Sequence, residues 1–297
     1  MTDTTTNAKN YLIQSQNADG GWAYLPGRES SPEPTIYATL AIWSDEGKSK
    51  RAALRGLDWL AANCTSNGAL RIPGHVEDHW TSLLYLIALI KLKQNPTMQA
   101  TVREWALKFE SAPVNETEDV DLNGKLIGWG WVKMTFGWVE PTSYALIALK
   151  LADRRDHPRV AEGTNLLLDR ACKDGGWNYG NREVLGQHLT SYLPTTALAA
   201  MALQGETDRQ SIIDKGLDYL TREIERNQSA LNLALTILCF DVYGRETDKY
   251  KNLLNARQMP DGSWMGNAHL TAVAALSLDT TDQSKIKAGG MGNIFRV

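Results

Sequence analysis

One short segment of this chain is repeated three times, and the repeat limits the folds open to the sequence. Residues 16–22, 171–177 and 258–264 each end in a tight turn and a tryptophan, written Asp-Gly-Gly-Trp twice and Asp-Gly-Ser-Trp once. Each copy is followed by a helix-forming run rich in Ala, Leu and Thr. A turn that recurs along a chain, always before the same kind of helix, indicates a repeat architecture.

The segments between the turns predict two kinds of helix. In residues 53–61, alanine and leucine recur at helical spacing with charged residues between them, which is typical of a helix with one buried face. Other segments, such as residues 81–89 and 195–203, are apolar nearly all round, so we expect them to be buried on most sides. The alternation of half-exposed and buried helices indicates two concentric layers.

The pattern predicts six helices of each kind in a single domain. Outer helices are expected near residues 5–16, 48–62, 97–110, 157–170, 209–225 and 246–257. Inner helices are expected near residues 34–44, 80–93, 141–152, 194–204, 229–243 and 270–278. Six pairs would close a ring, so the predicted fold is an all-α (α/α)6 toroid over residues 1–285. Residues 286–297 begin with a run too rich in glycine to continue a helix, and we expect them to form a C-terminal tail.

The pattern Gln-x3-Gly-x-Trp before a Thr/Ala/Leu helix resembles the QW motif of the squalene–hopene cyclase and protein prenyltransferase β-subunit superfamily. Residues 16–22 and 258–264 match it fully, residues 171–177 lack only the Gln, and residues 128–131 (Gly-Trp-Gly-Trp) replace it in the third repeat. The resemblance covers essentially the whole chain. It implies an α/α toroid whose cavity, in relatives, holds an isoprenoid chain. It also implies a structural role for Trp22, Trp177 and Trp264, each packed on a neighbouring turn.

The composition of the chain indicates a cellular compartment and gives no support to one class of partner, nucleic acids. A net charge of −3 and an isoelectric point near 6.0 give no electrostatic case for nucleic-acid binding. The three cysteines have no CxxC spacing, which favours a reducing compartment over a disulfide framework. The polar N-terminus lacks the apolar run of a signal peptide, and no apolar run approaches the ~18 residues that span a bilayer. We therefore expect a cytoplasmic protein, with peripheral membrane contact through a surface patch left open.

The residues that precede the inner helices are the main candidates for function. In a toroid of parallel inner helices the N-termini open at one mouth, where helix dipoles and unpaired N–H groups favour anions such as diphosphate. Aligning these helices on their first Thr places the following residues two positions upstream: Glu33, His79, Glu140, Leu193 and His269. They are either ordinary helix-start residues, or groups that face a shared ligand and serve proton transfer or metal binding.

The sequence departs from the catalytic motifs of the families it resembles. Class II terpene cyclases carry Asp-x-Asp-Asp just before an inner helix, with the middle Asp as the proton donor, and this motif is absent. Its nearest counterparts are Asp78, within residues 77–81, and Asp119 and Asp121, which we interpret as solvated loop residues. The Asp-x-Cys pair with which prenyltransferase β subunits bind zinc is absent too. We therefore assign no metal ligand and no cofactor.

Acid-initiated cyclisation needs a neutral carboxylic acid in an apolar cavity and aromatic faces that stabilise a cation. Glu140 is the first candidate for the acid, because the aromatic residues of its loop would desolvate it. Glu33 and Asp78 follow, and His79 and His269 are further catalytic candidates. The aromatic residues predicted to bind substrate are Trp80, Trp129, Trp131, Trp138, Tyr144, Tyr37 and Tyr192.

These features predict a terpenoid-cyclase-like protein that binds or acts on an isoprenoid or lipid-like small molecule, with acid-initiated cyclisation or isomerisation as its chemistry. Two alternatives stay open. One is a non-catalytic toroid that binds a ligand or scaffolds a partner, and the other is a metal-dependent hydrolase or lyase. Hopene-type cyclases place the active site between two α-barrel domains, whereas one toroid is expected here. A homodimer or a partner subunit would supply the second wall.

Overall fold

The computed structural model describes residues 3–44, 46–114, 121–279 and 292–297, and this part of the chain contains twelve α-helices. The outer helices are α1 (Thr4–Gln14), α3 (Gly47–Ala62), α5 (Pro96–Leu107), α7 (Pro158–Asp169), α9 (Gln210–Glu223) and α11 (Asp248–Asn255). The inner helices are α2 (Pro32–Ile42), α4 (Thr81–Lys91), α6 (Val139–Leu151), α8 (Leu193–Ala202), α10 (Ala230–Val242) and α12 (Ala268–Asp279). The predicted all-α fold is confirmed, with every helix near its expected position.

The inner helices form a closed ring. Each one packs on the next along the chain, and α12 returns to α2. Nearly every residue of α2 and α6 is buried, as their largely apolar sequences predict. The outer helices bury one face only; in α9 this face includes Ile213, Leu217 and Leu220. A 3₁₀ turn (Thr207–Arg209) and a hairpin of β1 (Glu183–Val184) with β2 (Gln187–His188) lie in the connections.

A tryptophan in each repeated turn fastens the two layers together. The backbone N–H of Trp22 donates to the hydroxyl of Thr35 at 2.9 Å, and its indole N–H donates to the Leu12 carbonyl at 2.7 Å. Trp177 and Trp264 make the same two bonds, each to an inner-helix threonine and to a carbonyl of the preceding outer helix. All three side chains are buried. We call each of these tryptophans a staple.

Glycines in the next outer helix make room for the staples. A Cβ at Gly56 would lie 2.8 Å from the ring of Trp22, and a Cβ at Gly216 would lie 2.7 Å from the ring of Trp177. The last turn meets the first helix: a Cβ at Gly262, where φ is +88°, would lie 2.4 Å from the Asn7 carbonyl oxygen in α1. Close backbone approach therefore requires glycine at these positions, and the approach to α1 closes the ring.

The last residues of the chain lie at the end of the ring where the inner helices finish. Ile294 and Phe295 are buried. The ammonium group of Lys91, the final residue of α4, donates to the carbonyl oxygens of Asn293 and Arg296. Residues 280–291 lie outside the described residues, so the division into a domain of 1–285 and a tail of 286–297 stays a prediction.

Candidate functional site

A cavity of about 120 Å³ lies between the first turns of five inner helices, α2, α6, α8, α10 and α12. Its ionisable side chains are Glu33, Glu140 and His269. Its aromatic and apolar wall consists of Tyr37, Tyr144, Tyr179, Tyr192, Pro194, Leu198, Leu231, Leu235 and Val273. Because residues at helix starts from around the ring meet there, the inner helices open at one mouth.

Glu33, in the first turn of α2, is held by two neighbours. The phenol of Tyr24 donates a hydrogen bond to Oε2 of Glu33. Nε2 of His269, in the first turn of α12, lies 3.6 Å from Oε1 of Glu33. The two side chains are 16% and 14% exposed, so water competes little for this contact. Glu33 therefore acts as a hydrogen-bond acceptor in the wall of the cavity.

Glu140, in the first turn of α6, has a different environment. Burial, and then the negative charge of Glu33, raise its pKa to about 8. Within the described ranges, no hydrogen bond or ion pair engages its carboxyl group. At neutral pH the side chain is therefore mostly a neutral carboxylic acid, the form that can donate a proton.

Two buried tyrosines lie one helical turn deeper than the glutamates. Tyr37 and Tyr144 follow Glu33 and Glu140 by four residues, and their hydroxyl oxygens are 2.8 Å apart. Burial is the main cause that raises the pKa of both phenols well above the ordinary value, so both stay protonated. Trp80 stacks on Tyr144 with ring centroids 5.1 Å apart. These rings give the site electron-rich faces of the kind that stabilise cations.

His79 lies beside this site but does not line the cavity. Its Nδ1 is 3.0 Å from the Thr81 hydroxyl, and its ring packs on Trp80 at 5.7 Å. Burial, and then the nearby His75, lower its pKa to about 4, so the imidazole is neutral at physiological pH.

The position of His79 corrects the alignment of the helix starts. The hydroxyl that accepts the N–H of the preceding turn is Ser82 in the second repeat and Thr196 in the fourth, rather than Thr81 and Thr195. The residues equivalent to Glu33 are therefore Trp80 and Pro194, whereas the sequence alignment gave His79 and Leu193. The sequence alignment was therefore wrong by one residue in these two repeats. In the second repeat Trp80 occupies the position of Glu33 and packs on Tyr144, whereas His79 does not line the cavity.

Asp78, a catalytic candidate from the sequence, forms structural contacts and does not line the cavity. Its carboxylate accepts from the indole N–H of Trp105 at 3.1 Å and from the Arg71 guanidinium at 3.3 Å. In the first repeat, Asp19 accepts from the indole N–H of Trp59 in the same way, at 2.9 Å. This shared contact ties the turn to the next outer helix and directs Asp78 away from the cavity.

Comparison with known proteins gives one sequence relative. No family model matches the chain. Over 68 residues it is 40% identical to the drimenyl diphosphate synthase of Streptantibioticus cattleyicolor. The matched segment covers 23% of this chain and 13% of that enzyme, so the chain corresponds to a small part of the length of this relative.

Solved structures match over nearly the whole chain. The type II terpene cyclase MstE from Scytonema superposes with a TM-score of 0.65 at 13% identity, over 97% of this chain and 98% of its own. A variant of MstE in complex with its substrate, geranylgeranyl dihydroxybenzoate, gives 0.64 at 14%, covering 97% of each chain. An alpha-amylase from Clostridium perfringens gives 0.66 at 11%, over 93% of this chain and 97% of its own.

The chain has an all-α toroid fold that it shares with these terpene cyclases. At these identities the likeness concerns the fold alone, and the alpha-amylase has a similar fold. No described helix is both long enough and apolar enough to cross a membrane.

The aromatic residues proposed from sequence occupy three kinds of position in the toroid. Tyr37, Tyr144 and Tyr192 line the cavity, Tyr192 at its exposed rim. Trp80 and Trp131 form a second layer behind Tyr144, with ring centroids 5.4 Å apart. Trp138, the residue before α6, packs on Phe136 at 4.5 Å and is absent from the cavity wall.

Trp129 is a correction among these candidates. Its backbone N–H donates to the Thr142 hydroxyl at 3.0 Å, and its indole N–H donates to the Ala106 carbonyl at 2.9 Å. A Cβ at Gly163 would lie 2.7 Å from its ring. These contacts make Trp129 the staple of the third repeat, and its burial between the helix layers is incompatible with a direct contact to a ligand in the cavity.

Sequence reasoning missed one side of the cavity. Leu231 and Leu235 of α10, Leu198 of α8 and Val273 of α12 supply its apolar wall. The fifth repeat has no tryptophan turn before α10, so no motif marks the start of that helix. Helical spacing of four residues between Leu231 and Leu235 was the available signal, but all inner helices are apolar and the spacing does not single out this face.

The structure offers limited support to a metal site. Among the described residues, no group of three or more His, Cys, Asp or Glu side chains is arranged to hold a metal ion. Glu33 and His269 are a pair of potential ligands, and no third side chain of the described residues completes a metal site with them. Structural and catalytic zinc sites use at least three protein ligands. Asp119, one of the two loop aspartates considered from sequence, lies outside the described residues.

A larger surface depression of about 430 Å³ lies elsewhere, beside α7. It is lined by exposed charged side chains that include Arg155, Asp156 and Arg209. Its open, solvated wall lacks the half-buried acid and the tyrosines of the mouth, so we place the functional site at the smaller cavity.

Proposed function

We propose that this protein is a terpenoid-cyclase-like enzyme that starts the cyclisation or isomerisation of an isoprenoid by protonating it. The observation that carries the proposal is Glu140, a half-buried carboxylic acid in the cavity wall whose pKa of about 8 keeps it mostly protonated at neutral pH. It faces a cavity whose remaining wall is mostly aromatic and aliphatic. The fold is shared with MstE, a type II terpene cyclase, and a segment of the sequence is similar to drimenyl diphosphate synthase.

The chemistry would use Glu140 as a general acid. Its proton forms a C–H bond with the π electrons of an alkene, which leaves a tertiary carbocation on the substrate and a carboxylate on the protein. The π electrons of a neighbouring alkene then form a C–C bond and move the positive charge along the chain. Loss of a proton from the final cation to the Glu140 carboxylate restores the acid, so the product is an isomer of the substrate.

Glu33 and the tyrosines would have separate roles. Glu33, positioned by Tyr24 and His269, lies near Glu140, and its negative charge helps to raise the pKa of Glu140. The rings of Tyr37 and Tyr144 would stabilise the cation through their electron-rich faces. Tyr37 and Tyr144 are candidates for substrate contact, whereas Glu33 and His269 are positioning residues.

The size of the cavity limits how a substrate enters. At about 120 Å³ it is smaller than the roughly 300–1,000 Å³ of pockets that hold drug-sized ligands. Tyr179 and Tyr192 form the rim, with ring centroids 5.5 Å apart and about half of each side chain exposed. An isoprenoid would therefore enter by displacing these rim tyrosines.

The test is product formation from isoprenoid substrates. The purified protein is incubated with farnesyl and geranylgeranyl diphosphate, squalene and geranylgeranyl dihydroxybenzoate, and the extracts are analysed by mass spectrometry. We expect a cyclic isomer from one of them, lost in Glu140→Gln and kept in Glu110→Gln, a matched change at an exposed glutamate. Absence of product from every substrate, or equal activity of Glu140→Gln, would contradict the proposal.

The second candidate function is binding without catalysis, which is favoured by the missing Asp-x-Asp-Asp motif. It predicts that wild type and Glu140→Gln bind the same isoprenoid equally and that neither converts it. Native mass spectrometry of the protein from its own host would then detect a bound lipid or a partner chain.

Membrane contact and self-association remain proposals supported by the surface of the mouth. Apart from Leu54, the exposed large apolar side chains of the described residues all lie in loops that lead into inner helices, among them Leu25, Val76, Met134 and Met265. An apolar rim of this kind suits a lipid surface or a second copy of the chain. Flotation with liposomes and analytical ultracentrifugation distinguish the two.

A further inference from the structure

The end of the chain fills the toroid from the side opposite to the mouth. Phe295 is fully buried, and its ring centroid lies 6.1 Å from that of Tyr144. Ile294 beside it is buried as well. A C-terminal segment that only covered the surface would not place a phenylalanine against a residue of the cavity wall.

The depth of these groups can be read along α6. Glu140 stands in the first turn, Tyr144 follows four residues later, and the helix ends at Leu151. At a rise of about 1.5 Å per residue, Tyr144 lies roughly 6 Å below Glu140, with further turns of helix beneath it. Phe295 approaches Tyr144 from the end where the inner helices finish, so its ring packs behind this residue of the cavity wall.

The segment 292–297 is bound by polar contacts to several inner helices. The side-chain amide of Gln204, after α8, donates to the Phe295 carbonyl at 2.7 Å. Asn293 donates to the Leu238 carbonyl of α10 at 2.9 Å. Lys91, at the end of α4, donates to the carbonyl oxygens of Asn293 and Arg296. Contacts to three helix ends fix the height at which Phe295 stands.

We propose that the ring of Phe295 is the floor of the substrate channel and determines the length of isoprenoid chain that the protein accepts. The inference rests on the proposed function, because it assumes that an apolar chain enters the cavity beside Glu140. Phe295 supports Tyr144 from below, and its ring fills space that the tail of a longer chain would need. Replacing the ring by a methyl group frees a volume of roughly one isoprene unit.

The experiment measures binding of unreactive chains, so that it does not depend on catalysis. Saturated isoprenoid alcohols with two, three and four isoprene units are titrated against the protein, with tryptophan fluorescence as the signal. We expect Phe295→Ala to move the preferred length up by one unit and to improve the affinity ratio of longer to shorter chain by about tenfold or more. Phe295→Leu, a milder change that preserves an apolar filling, should give an intermediate shift.

The control variant is Arg296→Ala. This neighbouring side chain is half exposed and contacts Asp241 at the surface, so its removal should leave the length preference unchanged. Circular dichroism verifies that each variant is folded.

The outcomes separate the two proposals. If the alcohols bind and the preferred length is the same in wild type, Phe295→Ala and Phe295→Leu, the floor inference is wrong while the proposed function stands. If no chain binds to any variant, both are overturned. A shift in Arg296→Ala equal to that in Phe295→Ala would assign the effect to the whole segment and contradict the role of the ring.

Discussion

The turns that begin α2 and α6 contain the same tripeptide, Glu-Pro-Thr, yet their glutamates are in different chemical environments. Glu33 accepts a hydrogen bond from Tyr24 and lies beside His269. Glu140 has a pKa raised to about 8, chiefly by desolvation and then by the negative charge of Glu33. In both turns the threonine hydroxyl accepts the N–H of a staple, Trp22 or Trp129. The repeat thus fixes where each glutamate stands, and the neighbours supplied by the ring decide its protonation.

The largest expected effect is a difference in product formation between variants of the two glutamates. Glu140→Gln should lower product formation by about 10²–10⁴-fold, because the amide cannot donate a proton as an acid. Glu33→Gln should lower it far less, because this change removes a neighbouring charge and leaves the acid in place. Mass spectrometry of products from one substrate measures both variants. Equal losses would mean that the two carboxyl groups share the proton and that the contrast between the turns is wrong.

The pH dependence should follow the same group. Only protonated Glu140 donates, so the rate should fall as the pH rises through about 8. A fall on the acid side alone, with full activity at high pH, would be incompatible with Glu140 as the acid.

The free energy of unfolding should also depend on pH through the carboxyl group of Glu140. Between the ordinary carboxyl pKa of 4.5 and about 8, the folded protein holds a proton that the unfolded chain releases. Wild type therefore loses stability as the pH rises through this window, by at most about 1.4 kcal/mol per pH unit. Glu140→Gln should lack this loss, and urea unfolding between about pH 5 and 9 measures it, with Glu110→Gln as the control that retains it.

The two turns share a hydrogen bond from a tryptophan N–H to a threonine hydroxyl, and removing that hydroxyl tests how much the bond contributes to stability. Thr35→Val and Thr142→Val each leave a buried tryptophan N–H without its acceptor. Each should cost about 1–3 kcal/mol of unfolding free energy, and the two losses should be similar. Urea unfolding measures them. A marked difference between the two variants would indicate that the turns differ in packing as well as in chemistry.

The smallest expected effect concerns a contact that only one glutamate has. Tyr24→Phe removes the phenol that donates to Glu33. Tyr24 is 40% exposed, so we expect a stability loss of about 1 kcal/mol or less. Thermal unfolding measures the change. A loss several times larger would imply that Tyr24 has a wider structural role than holding Glu33.

The sequence predicted the architecture well, for reasons visible in particular residues. Helical periodicity located all the helices described, and the Gly-x-Trp turns located the staples Trp22, Trp177 and Trp264. The placement of Glu33, Glu140 and His269 around one cavity followed from a single idea, that parallel inner helices begin at one mouth. These predictions use residues close together in the chain.

The errors in the sequence prediction arose where two nearby residues carry the same kind of side chain. The second and fourth inner helices begin with adjacent hydroxyls, Thr81-Ser82 and Thr195-Thr196, and the sequence does not say which one accepts the turn. The third repeat has two tryptophans, Trp129 and Trp131, and only the structure identifies Trp129 as the staple. The apolar wall from α10 and the buried Phe295 have no motif at all.

By itself, the sequence determined the ring: the helix periods, the glycine turns and the staples depend on hydrogen bonds and packing between neighbouring repeats. The tertiary structure decided the chemistry of the mouth. Glu33 contacts residues 9 positions and more than 200 positions away, Tyr24 and His269, whereas Glu140 is half-buried and no donor among the described residues reaches its carboxyl group. Desolvation and nearby charge act through space, so the pKa of a carboxyl group depends on residues that are distant along the chain.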